Sequence, residues 1–439
     1  MDEQYIRYVG IDWATDSHQV CTIDVEHRIL DERAVEHSGV GIAQFVDWLS
    51  KQVDGDVEHV AVAIETPRGA IVETLIERGF DVYAINPKQL DRFRDRHTVA
   101  GAKDDRRDAF VLADSLRTDQ HCFRQVRIDD PAIIELREVA RVDDDLREEM
   151  NRLSNRLREQ LHRFFPQMLH NCPAANEPWL WSLLEMIPSP EAVTRIQAQQ
   201  VTKLLRSHRI RRGAAHELLE KLQEPALRVA AGTVEAATTH IQLLLPRLRL
   251  VHQQRAFCKH RLEALLEQVG QAPSGEAPDQ KREHRDVDIV LSLPGVGNVV
   301  CATVFAEAAL PLKERDYHAF RALAGIAPVT RQTGKQGKSG TGRRVTVLMR
   351  RACNSRLRNA VYHWSRVSAQ RDEASKQHYG ALRKRGHTHG RALRGVADRN
   401  FRIMFAMLRN GTLYAPDFKT KTAAMPNGEA DNLALPAAA

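Results

Sequence analysis

Val60-Ala61-Val62-Ala63-Ile64-Glu65 is an unbroken apolar run that ends on a carboxylate. A short run of this kind suits a strand buried on both faces, the sort found in the middle of a parallel sheet. Upstream, Tyr5–Asp12, His18–Val25 and Ile29–Val35 alternate apolar and polar residues between short polar turns, which predicts a meander of three strands. Between the meander and the apolar run the spacing predicts a helix over Gly41–Ser50. Downstream it predicts a helix over Gly69–Arg78 stopped by Gly79, a strand over Asp81–Ile85 that halts at Asn86-Pro87, and a last helix from about Lys103 to Leu116.

Hairpin strands followed by alternating helices and strands make a mixed α/β sheet, the order used by ribonuclease-H-like nucleases, and residues 1–125 are assigned to this domain. From Asp130 the pattern turns to long helices, with Pro131 at a first helical position. Leu146, Met150, Leu153, Leu157, Leu161 and Phe164 recur at spacings of three and four, as do Ile241, Leu244, Leu248, Val251, Cys258, Leu262 and Leu265. Residues 126–270 are therefore a helical coiled-coil region, in which Pro246 should kink the second seam. Packing of the two seams within one chain and pairing between chains fit the pattern equally well. Residues 271–282, including QAPSGEAP at 271–278, read as a linker to a mainly α C-terminal domain, 283–414, and residues 415–439 as a disordered tail.

With 439 residues and 43% hydrophobic side chains, the chain can build two or three cores. Its six cysteines lie far apart with no C-x-x-C pair, which points to neither a disulfide framework nor a zinc site. Met1-Asp2-Glu3 does not begin an export signal, and the apolar-rich stretch Val287–Leu312 is broken by Pro294, Gly295, Gly297, Asn298 and Glu307. The expectation is a cytoplasmic, nucleoid-associated protein with no membrane partner. The net charge of +7 is modest, but its distribution is uneven. No Asp or Glu occurs between Arg331 and Arg371, while Lys335, Lys338, Arg343, Arg344, Arg350, Arg351, Arg356 and Arg358 crowd that segment. Such a stretch is suited to nucleic-acid phosphates.

Asp12 and Glu65 each end an apolar strand, and carboxylates at the carboxyl ends of neighbouring strands can converge. Asp105 and Asp108 are three apart in AGAKDDRRDAFVLAD (residues 100–114), so on a helix they share a face. Asp104 is an alternative to Asp105 on geometry alone. Gathered acids repel one another, and a hard divalent cation, Mg²⁺ or Mn²⁺, relieves that repulsion while keeping positions for water and phosphate oxygens. Two such ions, roughly 3.5 to 4 Å apart, serve phosphodiester chemistry.

The motifs GIDWA (10–14), AIETP (63–67), AGAKDDRRDAFVLAD, LSLPGVGNVVCATVFAE (291–307), FRALAGIAPVTRQTGK (320–335), RRACNSRLRNAVYHW (350–364) and the stretch from His378 to Tyr414 together resemble the insertion-sequence-110 transposases, the DEDD family that includes the pilin-gene invertase Piv. The resemblance runs nearly end to end. It implies a ribonuclease-H-like (RuvC-like) N-terminal domain, a coiled-coil middle and a C-terminal transposase domain, and it selects Asp105 over Asp104. It also implies a hydroxyl that attacks DNA and holds the broken strand covalently, assembly into dimers or tetramers, and guidance by a structured RNA encoded beside the gene that pairs with element-end and target DNA.

The family pattern has a Ser-Gly pair after Ala-Pro-Val-Thr, where this chain has Thr333-Gly334. Thr333 carries the same hydroxyl with an added methyl, and Ser339-Gly340 is the rival. Two other functions compete with RNA-guided recombination: a metal-dependent endonuclease resembling Holliday-junction resolvases, and an inactive nucleic-acid-binding relative. Leu293–Gly297 is read either as a phosphate-holding hairpin or as a plain helix-entry turn.

Overall fold

The computed structural model describes residues 5–85, 87–97, 104–127, 130–170, 172–210, 215–269, 285–333 and 344–416; for residues 88, 97, 331–333, 344 and 345 it describes the backbone alone. The chain divides into two compact units, Met1–Asp129 and Asp130–Ala439.

The first unit contains β1 (Arg7–Asp12), β2 (Ser17–Asp24), β3 (Ile29–Glu36), α1 (Gly39–Lys51), β4 (Val60–Ile64), α2 (Ala70–Glu77), β5 (Asp81–Ala84), α3 (Pro87–His97), α4 (Asp105–Asp119) and β6 (Arg124–Gln125). Its mixed sheet runs β3-β2-β1-β4-β5-β6. The β1–β4 and β4–β5 pairs are parallel, and the other neighbours antiparallel. The expected meander and central strand are all present, and β4 is buried along its whole length. Two elements were not expected. Helix α3 has only Leu90 and Phe93 as buried apolar anchors, too few for a visible period, and β6 is two residues long.

Side-chain size sorts the two faces of the sheet. Val9, Ile11, Val60, Val62 and Ile64 pack with Phe45 and Leu49 of α1 and Ile71 and Leu75 of α2. The alternate positions are Gly10, Ala61 and Ala63, and their small side chains leave room for α4 to lie close against the sheet. At Gly10 the approach is backbone to backbone. A Cβ there would lie 1.9 Å from the Ala109 carbonyl oxygen and 2.7 Å from the Ala113 nitrogen.

The second unit opens with α5 (Pro131–Phe164), α6 (Pro178–Met186), α7 (Ala198–Ser207), α8 (Ala215–Leu222) and α9 (Thr233–Val269). It continues with α10 (Asp286–Leu291), α11 (Asn298–Glu307), α12 (Ala309–Lys313), α13 (Tyr317–Leu323), the hairpin β7 (Val329–Thr333) and β8 (Arg344–Leu348), α14 (Ser355–Arg371), α15 (Glu373–Lys384) and α16 (His389–Asn410). The two sequence seams pack on each other within the chain, as α5 and α9. Arg261 pairs with Glu135, Arg255 with Asp143 and Arg247 with Glu149, so one number rises as the other falls and the helices are antiparallel. Helix α9 continues through Pro246 without a break.

This helical pair contributes to two separate cores. Leu153, Leu157, Ile241 and Leu248 pack with α6, α7 and α8, whereas Leu136, Ala140, Leu262 and Leu265 pack with the helices from α10 onward. Asp143 lies where one core gives way to the other, and its side chain is 2% exposed. Arg255 donates to both of its carboxylate oxygens, at 3.1 and 3.4 Å. A buried pair adds little net stability over apolar residues, but losing one partner strands the other charge.

Gly10→Ala should destabilise the first unit by about 3 kcal/mol, because two backbone segments must part, and urea unfolding would measure it. Asp143→Ala should cost about 3 kcal/mol in the same assay, whereas pairing Asp143→Leu with Arg255→Met should recover most of the loss.

Candidate metal-binding acidic site

The β1–β4 register pairs Ile11 with Ile64. Asp12 and Glu65, one residue further on each, therefore stand side by side at the carboxyl edge of two parallel strands, whose backbones are about 4.8 Å apart. Both are half-buried. Asp108 immediately precedes Ala109, whose carbonyl faces Gly10, so the α4 contact brings Asp108 to the same edge. Its side chain is almost fully buried. Asp105 is exposed at the first position of α4, one turn before Asp108.

Asp104 has a structural task. It is the N-cap of α4, with its side chain accepting from the Arg106 backbone N–H at 3.3 Å. The helix dipole favours acids in the turn that follows, and this alone would accommodate Asp105 and Asp108. Burial separates the two, because a capping preference gives no reason to sink Asp108 into the sheet. The fourth acid of the AGAKDDRRDAFVLAD stretch, Asp114, lies further along α4 and is committed to His27 at 2.7 Å and Arg117 at 2.8 Å. Burial raises its pKa, but the hydrogen bonds and charges of Arg117 and His27 lower it further, and the net shift is downward.

The turn after Asp12 is braced from below. The Ala14 N–H donates to His18 Nδ1 at 3.3 Å, which leaves the ring proton on Nε2 to donate to His37 Nδ1 at 2.9 Å. Burial, then the neighbouring His37, lowers the pKa of His18 and keeps it neutral. Trp13 packs over both rings at 6.1 and 6.3 Å and remains 38% exposed beside Asp12.

Arg94 of α3 was not anticipated from the sequence. It forms a two-pronged ion pair with Asp108, at 2.7 and 2.8 Å. Nothing in PKQLDRFRDRH distinguishes it from Arg92 or Arg96, since only the packing of α3 against α4 selects it. Among the described residues, the trios whose donor atoms already lie within 4.8 Å of one another are Asp119, His121 and Cys122, and Asp56, Glu58 and His59. No three of Asp12, Glu65, Asp105 and Asp108 form such a trio.

In the second unit, Thr333 is the last residue of β7 and pairs with Arg344 of β8. Ser339, Lys335, Lys338 and Arg343 lie outside the described residues, as do the side chains of Thr333 and Arg344. Arg351 is exposed, and Arg350 is half-buried. Arg358 is half-buried against Cys353, whereas Arg356 bonds the Arg141 carbonyl at 3.0 Å and Asp145 at 2.9 Å. The Leu293–Gly297 turn docks on α14: the Pro294 carbonyl accepts from Trp364 at 3.0 Å and from Ser368 at 2.6 Å. Gly295 has a φ of +84° and abuts the Ser368 backbone, so a side chain at this position would crowd the docked turn. Among the described residues, no helix is long and apolar enough to cross a membrane.

Residues 9–166 match the family profile of the IS110-type DEDD transposases, described as Transposase, and residues 287–380 match the profile described as Transposase IS116/IS110/IS902 family. A Sinorhizobium fredii protein named as a transposase is 51% identical over 215 residues, which span 48% of this chain and 59% of that relative. A Streptomyces coelicolor protein named as the mini-circle transposase for IS117 is 32% identical over 89% of this chain and 91% of its own length. The 44.8 kDa protein of insertion element IS116 from Streptomyces clavuligerus is 25% identical over 93% of this chain and 96% of its own length. With near-complete coverage of such a relative, and with both family profiles matched in order along its length, the chain belongs to the IS110 family of transposases.

Proposed function

We propose that this protein is a DNA recombinase that cuts and rejoins the strands of an insertion sequence, using a ribonuclease-H-like acidic site in its first unit and a hydroxyl in its C-terminal domain. The observation that carries the reading is the Ile11–Ile64 register, which sets Asp12 beside Glu65 while α4 brings buried Asp108 to the same edge. The sheet order β3-β2-β1-β4-β5 and the family membership support the same conclusion.

The donor set consists of hard carboxylate oxygens, which suit Mg²⁺ or Mn²⁺ better than softer metals. Asp12, Glu65 and Asp108 would hold the ion, with Asp105 as the solvent-facing fourth acid. A divalent ion supplies charge stabilisation to a phosphodiester under attack. The chain supplies the rest. Asp12 is held in place by the braced turn of Ala14, His18 and His37, and Asp108 by the contact of α4 at Gly10. The hydroxyl of Thr333, or of Ser339, forms a new P–O bond as the bond from phosphorus to a deoxyribose oxygen breaks, and its proton passes to that leaving oxygen. The resulting phosphoester conserves the bond, and its reversal rejoins strands without ATP. Arg351 and the acid-free segment around it would bear on DNA phosphates. A guide RNA and a dimer or tetramer with composite sites belong to this reading through the family resemblance. A second reading, hydrolysis by water at the same acids, is favoured by one departure: threonine stands where the family pattern has serine.

Incubation with element-end DNA and Mg²⁺ followed by denaturation should trap a protein–DNA adduct. It should disappear in Thr333→Ala or Ser339→Ala, and Asp12→Asn should slow its formation by roughly 100-fold or more. Cleaved ends with no adduct would replace strand exchange by hydrolysis. Undiminished strand exchange in Asp12→Asn would remove the acidic site from the chemistry.

A further inference from the structure

The guanidinium of Arg94 takes both carboxylate oxygens of Asp108, Nε to Oδ1 at 2.7 Å and Nη2 to Oδ2 at 2.8 Å. Its remaining nitrogen, Nη1, donates to Asp91 one turn back on α3 at 2.6 Å. The Asp108 side chain is 3% exposed, so the carboxylate is shielded from water, and a charge-assisted fork of this geometry is among the stronger polar contacts a protein makes. Burial opposes the charge on Arg94, but the hydrogen bond to Asp108 and the charges of Asp108, Asp91 and Glu65 outweigh it, and its pKa is raised. A permanent cation thus stands among the carboxylates that the metal-site reading requires.

Two arrangements are compatible with a divalent ion at this edge. Arg94 could stay and hold Asp108 in position for the ion, or it could leave. Staying is costly, because the fork already uses one lone pair on each Asp108 oxygen. An ion on the remaining pairs would also lie a few ångström from a like charge in a region of low dielectric. Leaving costs the fork but is the milder course, because Arg94 is about a quarter exposed and keeps Asp91 as a partner on its own helix.

We propose that Arg94 is a counter-cation: it neutralises buried Asp108 while no metal is bound, and it gives up that carboxylate when the ion arrives. The proposal rests on the metal-site reading above. Asp108 is too deeply buried to tolerate an uncompensated charge, so the chain carries a placeholder that lets the acidic edge fold before metal is present. The wild-type protein then binds metal more weakly than its acids alone would, because each binding event must break the Arg94–Asp108 pair.

Mn²⁺ binding to the full chain, read by calorimetry and by the spin-resonance signal of the free ion, tests this without DNA. Arg94→Gln should tighten Mn²⁺ binding by about tenfold, the equivalent of one charged hydrogen-bonded contact. It should also lower the thermal midpoint in EDTA, and saturating Mn²⁺ should recover that loss. Arg94→Lys, which keeps the charge without the fork, should fall between wild type and Arg94→Gln on both measures. Unchanged or weaker Mn²⁺ binding in both variants would overturn the proposal, weaker binding identifying Arg94 as a residue that positions Asp108 for the ion. Asp12→Asn separates this failure from failure of the metal site itself. If wild-type Mn²⁺ binding does not weaken in Asp12→Asn, the site reading is lost, and the role of Arg94 with it.

Discussion

The contact between Gly10 of β1 and Ala109 of α4 is the constraint on which the acidic edge depends. A helix lying on a sheet is normally held off by side chains, and the backbones meet here only because Gly10, Ala61 and Ala63 line one face while valines and isoleucines line the other. The alternation of small and large residues in VAVAI and in Val9-Gly10-Ile11 therefore does two things. It builds an ordinary core beneath α1 and α2, and it draws α4 inward until the first turn of the helix reaches the strand ends. Asp108 is buried because of that approach, and its burial creates the need for a compensating cation.

Much of this was legible in the sequence. The strand ends at Asp12 and Glu65, the first turn of α4 and the change to helices near Asp130 all follow from local pattern, since period and termination are local properties. The register that places Asp12 level with Glu65 is a property of pairing, and the sequence could suggest that the two converge without fixing their level. Arg94 was beyond reach for a plainer reason. Helix α3 carries six charged residues among eleven and buries little, so its periodicity is faint, and its partner is fixed by tertiary packing alone. Asp104 shows the reverse case: spacing makes it equivalent to Asp105 and only the family resemblance separates them, whereas the fold gives Asp104 a task of its own, capping the helix.

The second unit shows the same division. Heptad-like spacing identified both seams but could not decide whether they pack within one chain or between two. In the fold they pack on each other within the chain, and Glu135–Arg261, Asp143–Arg255 and Glu149–Arg247 come together only in an antiparallel alignment. The acid-free segment between Arg331 and Arg371 is less uniform in the fold than in the sequence. Arg356 is spent on α5, while Arg351 faces solvent, so equal charge on paper corresponds to unequal availability.

The α5–α9 pair has a mechanical consequence. Helix α5 is 34 residues long, about 51 Å at 1.5 Å per residue, and its two ends are embedded in different cores. A close-packed antiparallel pair does not stretch. Sliding one helix past the other, by any amount, would part the buried Asp143 carboxylate from Arg255, so the pair fixes the offset of the two helices. The cores at either end are thereby held at a set distance, as by a pinned strut.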